Sequence, residues 1–257
     1  MTISVALEKD GHIARIRFAK PPLNFACPTL LARIADALDE IDADPELRCS
    51  VLLSEGKAFC AGADLAGDEA MAGDAGMTSI AGLYTQAERI FRRRKPMVAG
   101  VQGGAIGAGL GLAMAADFRV ADATTRLSAN FVRLGFHPGF ALTFTLPRLL
   151  GPNRAAWMML SAERVKPDAA LQWGLVDRLA ADGALEATAC AMAAEIAENA
   201  PLALMAVRAT VTADVADGVV AAMRHEHAQQ TLLKGTDDYR EGVASVFERR
   251  PALFTGR

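Results

Sequence analysis

The stretch from Pro96 to Asp117 limits this chain more than any other. It opens as a short apolar run, Met97 to Val101, bounded by a proline and glycines, which reads as a buried strand. It closes as Leu110-Gly111-Leu112-Ala113-Met114-Ala115-Ala116, apolar and without β-branched residues, which reads as a buried helix. Between the two lie Gly103, Gly104, Gly107 and Gly109. Glycines at a strand-to-helix turn let a backbone approach a ligand closely. The helix that follows aims its free N–H groups and the positive end of its dipole at that ligand. The expected ligand atom is a negative or polarised oxygen; close helix-on-strand packing is the competing reading.

Two nucleotide readings fail on residue identity. A phosphate-binding P-loop needs Lys and then Ser or Thr after the last glycine, where this chain has Leu110-Gly111-Leu112. The dinucleotide fingerprint needs a glycine where Leu112 stands and an acidic residue about 20 positions on, where the chain has Arg126-Leu127-Ser128-Ala129. A second stretch upstream favours a different oxygen. Ser50-Val51-Leu52-Leu53-Ser54 reads as a strand and runs into Glu55-Gly56-Lys57-Ala58-Phe59-Cys60-Ala61-Gly62-Ala63-Asp64-Leu65. Two small-residue turns, each leaving a strand, can converge their backbone N–H groups on one oxygen as an oxyanion hole.

Lys57 to Leu65, followed by Lys95 to Gly109, resembles the enoyl-CoA hydratase/isomerase (crotonase) family. Leu23-Asn24, Pro138-Gly139, Leu149 to Arg154, Gly174 to Asp177 and Phe247 to Phe254 extend the resemblance over nearly the whole chain. It implies an α/β fold: a crotonase-like right-handed ββα spiral over residues 1–195, with a C-terminal helical region, 196–257, used in assembly of a homotrimer or a dimer of trimers. It further implies an acyl-CoA thioester as substrate, with coenzyme A entering as part of it and no tightly bound cofactor or metal.

Carried over residue by residue, the resemblance makes the backbone N–H groups of Ala63 and Ala108 the oxyanion donors. It gives the Ala61 carbonyl to the adenine, Asp64 and Leu65 to the same wall, and Arg249 to the CoA phosphates. His137, in Gly135-Phe136-His137-Pro138-Gly139, falls at the acyl-binding end as a catalytic candidate, beside the alternative of a hydrogen-bonded structural histidine. The proton chemistry does not carry over. Adding water to a double bond needs a general acid and a general base, and the two glutamate positions of hydratases hold Gly111 and Phe131. A third carboxylate position found in relatives holds Gly139. Candidate replacements are His137, Tyr84, and Asp68, Glu69 or Asp74 of the 66–78 stretch. Three readings stay open: an acyl-CoA lyase or isomerase-type enzyme, a decarboxylase-like member, and a non-catalytic acyl-CoA binder.

Composition narrows the partners. With 52% hydrophobic residues in 257, the chain can bury one or two packed cores. A net charge of −3 gives no electrostatic reason for nucleic-acid binding. The basic run Arg92-Arg93-Arg94-Lys95 reads as a solvated helix end, with phosphate contact as the lesser reading. Cys27, Cys49, Cys60 and Cys190 lack metal or redox spacing and read as reduced, mostly buried thiols of a cytoplasmic protein. The start lacks a basic region followed by an apolar core, so no secretory leader is expected, and no apolar run is long enough for a membrane span.

Along the chain, Ile3 to Leu7 and Ala14 to Phe18 alternate around Asp10-Gly11, which predicts a hairpin. The spacing predicts helices over Thr29 to Ile41, about 79–94 and 184–200, the last ended by Pro201, and a brief strand from Leu175 to Arg178. Residues 66–78 read as a mobile loop. His225-Glu226-His227 reads as a solvated helix face, because i and i+2 point apart on a helix. Val219, Val220, Met223, Leu232 and Leu233 read as apolar residues awaiting a partner subunit.

Overall fold

The structure is a computed structural model that describes residues 2–64 and 75–257, with side chains described for all of these except 75–79. Ser4–Asp10 (β1) and Ile13–Ala19 (β2) form the antiparallel hairpin. The chain then adds Cys49–Ser54 (β3), Met97–Val101 (β4), Phe118–Ala121 (β6) and Arg178–Leu179 (β8) in parallel, giving a six-stranded sheet of order β1-β2-β3-β4-β6-β8. The period of two along each strand decides which layer it feeds. Val51 and Leu53 of β3 pack with Ala189, Met192 and Ala193 of one helix, Leu185–Ala197 (α7). Leu52 points the other way, into the main core with Ile34 and Leu38 of Pro28–Ala43 (α1) and Ile90 of Ala75–Arg92 (α2).

Beside this sheet runs a second, shorter ladder. Ala26 bridges Ala63, Cys60 bridges Ala105, Gly104–Ile106 (β5) pairs in parallel with Arg126–Ser128 (β7), and Leu127 bridges Val165. Successive passes of the chain thus contribute a strand to the large sheet and a rung to the small one. This is the spiral that the resemblance implies. Helix Ala108–Met114 (α3) leaves the small ladder directly after β5.

The remainder is helical: a 3₁₀ turn at Asn130–Leu134, then Leu142–Leu150 (α4), Pro152–Ser161 (α5), Pro167–Trp173 (α6), Pro201–Val211 (α8), Val215–Lys234 (α9) and Asp237–Glu248 (α10). Several boundaries differ from expectation. Pro201 opens α8 instead of closing α7, which stops at Ala197; proline is favoured at a first helical position because the N–H it lacks has no partner there. The short strand begins only at Arg178, since Leu175 and Val176 are buried just after the left-handed Gly174 that ends α6. Residues 75–78, expected in the loop, belong to α2, and the rest of that loop from 66 lies outside the described residues. Among the described residues no single helix is long and apolar enough to cross a membrane.

Only half of the basic run is solvated: Arg92 and Arg94 are exposed, but Arg93 and Lys95 are structural. Arg93 is 3% exposed and reaches Asp117 at 2.5 Å, while its Nη1 donates to the carbonyls of Ile90 and Ala115. Lys95 is also buried and donates to the Ile41 carbonyl at 2.6 Å. Arg208 of α8 donates to Asp117 at 3.1 Å and to the Arg93 carbonyl, tying the C-terminal helices to the spiral. Burial alone would raise the Asp117 carboxyl, but the charges of Arg93 and Arg208 overcome it and hold the group below its ordinary 3.8. A depressed carboxyl stabilises the fold above its unfolded value, and the contribution is lost as pH falls through the folded value. Asp117→Asn is therefore expected to cost about 3–5 kcal/mol at neutral pH. Urea unfolding should show that cost shrinking once the pH drops below about 4, where the carboxyl of the unfolded chain takes up a proton that the folded one still excludes.

Candidate active site

Both small-residue turns are held rigidly at the end of the sheet. The first follows β3 and is pinned by Asn24, 2% exposed and left-handed at φ 56. Its amide donates to the carbonyls of Glu55 at 2.7 Å and Ala58 at 2.8 Å. The second turn follows β4 and stacks on the first: Phe59 N–H donates to Gln102, Cys60 N–H to Gly104, and Ile106 N–H back to Cys60, at 2.8 to 3.0 Å. Two glycines make this stacking possible. A Cβ at Gly103 would stand 1.9 Å from the Lys57 carbonyl oxygen, and one at Gly109 would stand 1.9 Å from that of Cys60. Gly109 thereby lets the start of α3 lie directly against the first turn.

The convergence frees two donors. Ala26 N–H bonds Gly62 O, and Asp64 N–H bonds Ala26 O, so in this parallel bridge the N–H of Ala63 faces the other way. Ala108 is the first residue of α3, where an N–H has no partner within the helix. Neither N–H has an acceptor among the described residues. Gly62, Ala63, Gly107 and Ala108 line one cavity of about 240 Å³. Its walls are otherwise mostly apolar, with Phe25, Ile80, Leu83, Phe131, Phe136 and Phe140 from the spiral side and Val243, Val246 and Phe247 from α10. Among the described residues, Asp64, Tyr84, Asn130 and Gln230 are the polar side chains in the lining. Asp64 is paired with Lys20 at 2.6 Å.

The expected site residues divide. Ala61, Ala63, Asp64 and Ala108 all line the cavity; Leu65 lies outside the described residues, as do Asp68, Glu69 and Asp74. His137 is not in the lining: its Nδ1 is 2.7 Å from the Pro138 carbonyl, and its ring stacks edge-on 5.9 Å from His225. The hydrogen-bonded alternative describes its surroundings. Arg249 ends α10 in the left-handed region at φ 54 and is exposed away from the lining. Cys60 is fully buried, and burial pushes its thiol up to about 11. Such a thiol is inert at neutral pH.

The three carboxylate positions are not empty slots. A Cβ at Gly111 would meet the Phe140 side chain at 2.5 Å, and Phe140 is itself 1% exposed. Phe131 closes the second position with a ring that lines the cavity. A Cβ at Gly139 would stand 2.4 Å from the Tyr84 oxygen and 2.5 Å from Gln230 Nε2. Sequence reasoning missed Gln230 altogether. The only signal was its place one helical turn beyond Glu226 on α9. Glu226 itself corrects the solvated-face reading: it is fully buried and accepts from Ala141 N–H at 2.8 Å and Thr143 N–H at 3.0 Å, so it caps α4. Burial raises its carboxyl despite those bonds. His227 packs edge-on against Tyr84 at 6.1 Å.

The two-ladder spiral is that of the crotonase fold, and the chain belongs to the enoyl-CoA hydratase/isomerase family, whose model matches residues 8–257. The short-chain-enoyl-CoA hydratase of Clostridium acetobutylicum is 31% identical over 96% of this chain and 95% of its own length. The 1,2-epoxyphenylacetyl-CoA isomerase of Escherichia coli is 29% identical over 88% of each. Among solved structures, an enoyl-CoA hydratase/isomerase from Pseudoalteromonas atlantica superposes with a TM-score of 0.88 at 27% identity, covering 98% of this chain and 100% of its own.

Proposed function

We propose that this chain is an acyl-CoA enzyme of the isomerase or lyase kind that places the thioester carbonyl between the N–H groups of Ala63 and Ala108. The observation that carries this is the pair of unpartnered main-chain donors facing one apolar cavity. Preorganised donors in a water-poor site stabilise the charge that develops on a carbonyl oxygen as an enolate forms. They need no side chain, so alanine at 63 and 108 serves. Ala61 and Asp64 extend the first turn towards the remainder of the CoA ester. His137 is given no catalytic role, because its ring is engaged outside the cavity; Tyr84 stands in its place as the hydroxyl within reach of the acyl group. Burial, with the Glu226 charge, raises the Tyr84 hydroxyl, so at neutral pH it is protonated and can donate but not act as a base. A panel of CoA esters followed by mass spectrometry tests the reading. Conversion of at least one ester, lost in Ala63→Pro, is the expected result; binding without conversion of any ester would make the protein a binder, and no binding would remove the site.

The same reading includes assembly as a homotrimer. The residues first expected to drive it are partly spent within the chain, since Val219 and Met223 are buried against its own core. Leu232 stays exposed as expected, and Leu202, Val207 and Val211 of α8 and Trp157 and Leu160 of α5 are exposed as well, Leu202 to 78%. Sedimentation at micromolar concentration is expected to give three subunits or a multiple of three, and a stable monomer would exclude it.

A further inference from the structure

Tyr84 and Gln230 form a hydrogen-bonded pair at the cavity wall that is incompletely satisfied. Gln230 is 4% exposed. Its Nε2 donates to the His137 carbonyl at 3.0 Å, which fixes the amide so that Oε1 accepts from the Tyr84 hydroxyl at 3.0 Å. A primary amide has two N–H donors, and the second one of Gln230 has no acceptor among the described residues. Tyr84 oxygen receives only a long contact, 3.4 Å, from Phe140 N–H. Gly139 beneath them carries no side chain to fill the space, and any Cβ there would collide with both groups. A buried donor left without an acceptor is costly, and here it belongs to a residue that lines the cavity.

We propose that Tyr84 and Gln230 select acyl-CoA esters that carry a neutral oxygen, a hydroxyl or a ketone, on the acyl chain. That oxygen accepts the second N–H of Gln230 and lies beside the Tyr84 hydroxyl. It is neutral because no cationic side chain lines the cavity among the described residues, and the only charged one, Asp64, is an anion already paired with Lys20. A carboxylate there would be buried without a partner. The inference rests on the thioester being held at Ala63 and Ala108.

Calorimetric titration with butyryl-CoA, 3-hydroxybutyryl-CoA and acetoacetyl-CoA tests it. The wild-type protein is expected to bind the better of the two oxygenated esters about five- to tenfold more tightly than butyryl-CoA, the worth of one buried hydrogen bond. Gln230→Leu should abolish that ratio and Tyr84→Phe should reduce it. Circular dichroism identifies a variant that fails to fold, in which case the other decides. Equal binding of all three esters by the wild type, or a ratio unchanged in both variants, overturns the selection while leaving the thioester site standing. If no ester binds, the thioester reading fails and this inference with it.

Discussion

Proline at position 108 is expected to lower turnover of the ester this protein processes by about 10² to 10³-fold, the usual consequence of losing one oxyanion donor. The substitution is unusually clean. Ala108 is the first residue of α3, where proline's fixed φ suits the helix and its missing N–H breaks no internal bond. The first bond of the helix, from Gly111 N–H to the Gly107 carbonyl at 3.0 Å, is untouched. Gly107 precedes it with φ 54 and ψ −116, outside the helical region that a following proline disfavours. Binding of the ground-state ester should fall as well, because the ring carbon that replaces the N–H hydrogen stands where the ester oxygen would lie. Ala108→Ser keeps the N–H and should retain most of the activity. A folded Ala108→Pro protein with wild-type turnover would show that the oxygen is stabilised elsewhere.

The second large effect is an absence of hydration. Crotonyl-CoA is expected to be hydrated more slowly than by hydratases of the family by orders of magnitude, because each positioned acid or base is typically worth about 10² to 10⁴ in rate. Gly111 has no side chain, Phe131 offers a ring, and the space beside Gly111 is occupied by Phe140. This last contact bears on any attempt to install the missing acids. Gly111→Glu with Phe131→Glu should fail to restore hydration, since the first glutamate collides with a buried ring. Adding Phe140→Ala makes room, and only that triple variant is expected to gain activity. Rapid hydration by the wild type, followed at the loss of the enoyl thioester absorbance, would mean that another acid/base pair reaches the cavity.

Much of this was legible in residues with local meaning. The alternation of Ala14 to Phe18, the spacing of Leu30, Ile34, Leu38 and Ile41, and the small-residue runs at 61–64 and 103–109 gave hairpin, helix and turns close to their observed bounds. What stayed hidden depends on pieces of chain far apart in sequence. The close approach of Gly109 to Cys60 is a contact between two turns, and nothing around Gly109 states which carbonyl it meets. His137 was misplaced because a one-dimensional pattern puts a residue near a pocket without saying which way its ring turns. The Phe140 ring below Gly111 and the Gln230 amide above Gly139 come from segments with no recognisable motif. The buried Arg93 was read as solvated because its partners, Asp117 and Arg208, are 24 and 115 positions away.

The cavity has two origins, and that division reaches beyond the single molecule. Under the proposed function the thioester end is main chain supplied by the spiral, while the acyl end is walled by side chains from both parts, Tyr84, Phe131 and Phe140 from the spiral and Gln230, Val243, Val246 and Phe247 from α9 and α10. Helix α10 is seated by Gly135 and Gly242, where a Cβ at Gly242 would stand 2.4 Å from the Leu134 backbone. On that reading the carbonyl chemistry lies wholly on the spiral, and part of the choice of substrate lies on a separate length of polypeptide. Drift in the last forty or so residues can change what such a protein accepts while the way it acts on a carbonyl stays the same, and a lineage can explore new substrates without first surrendering its reaction.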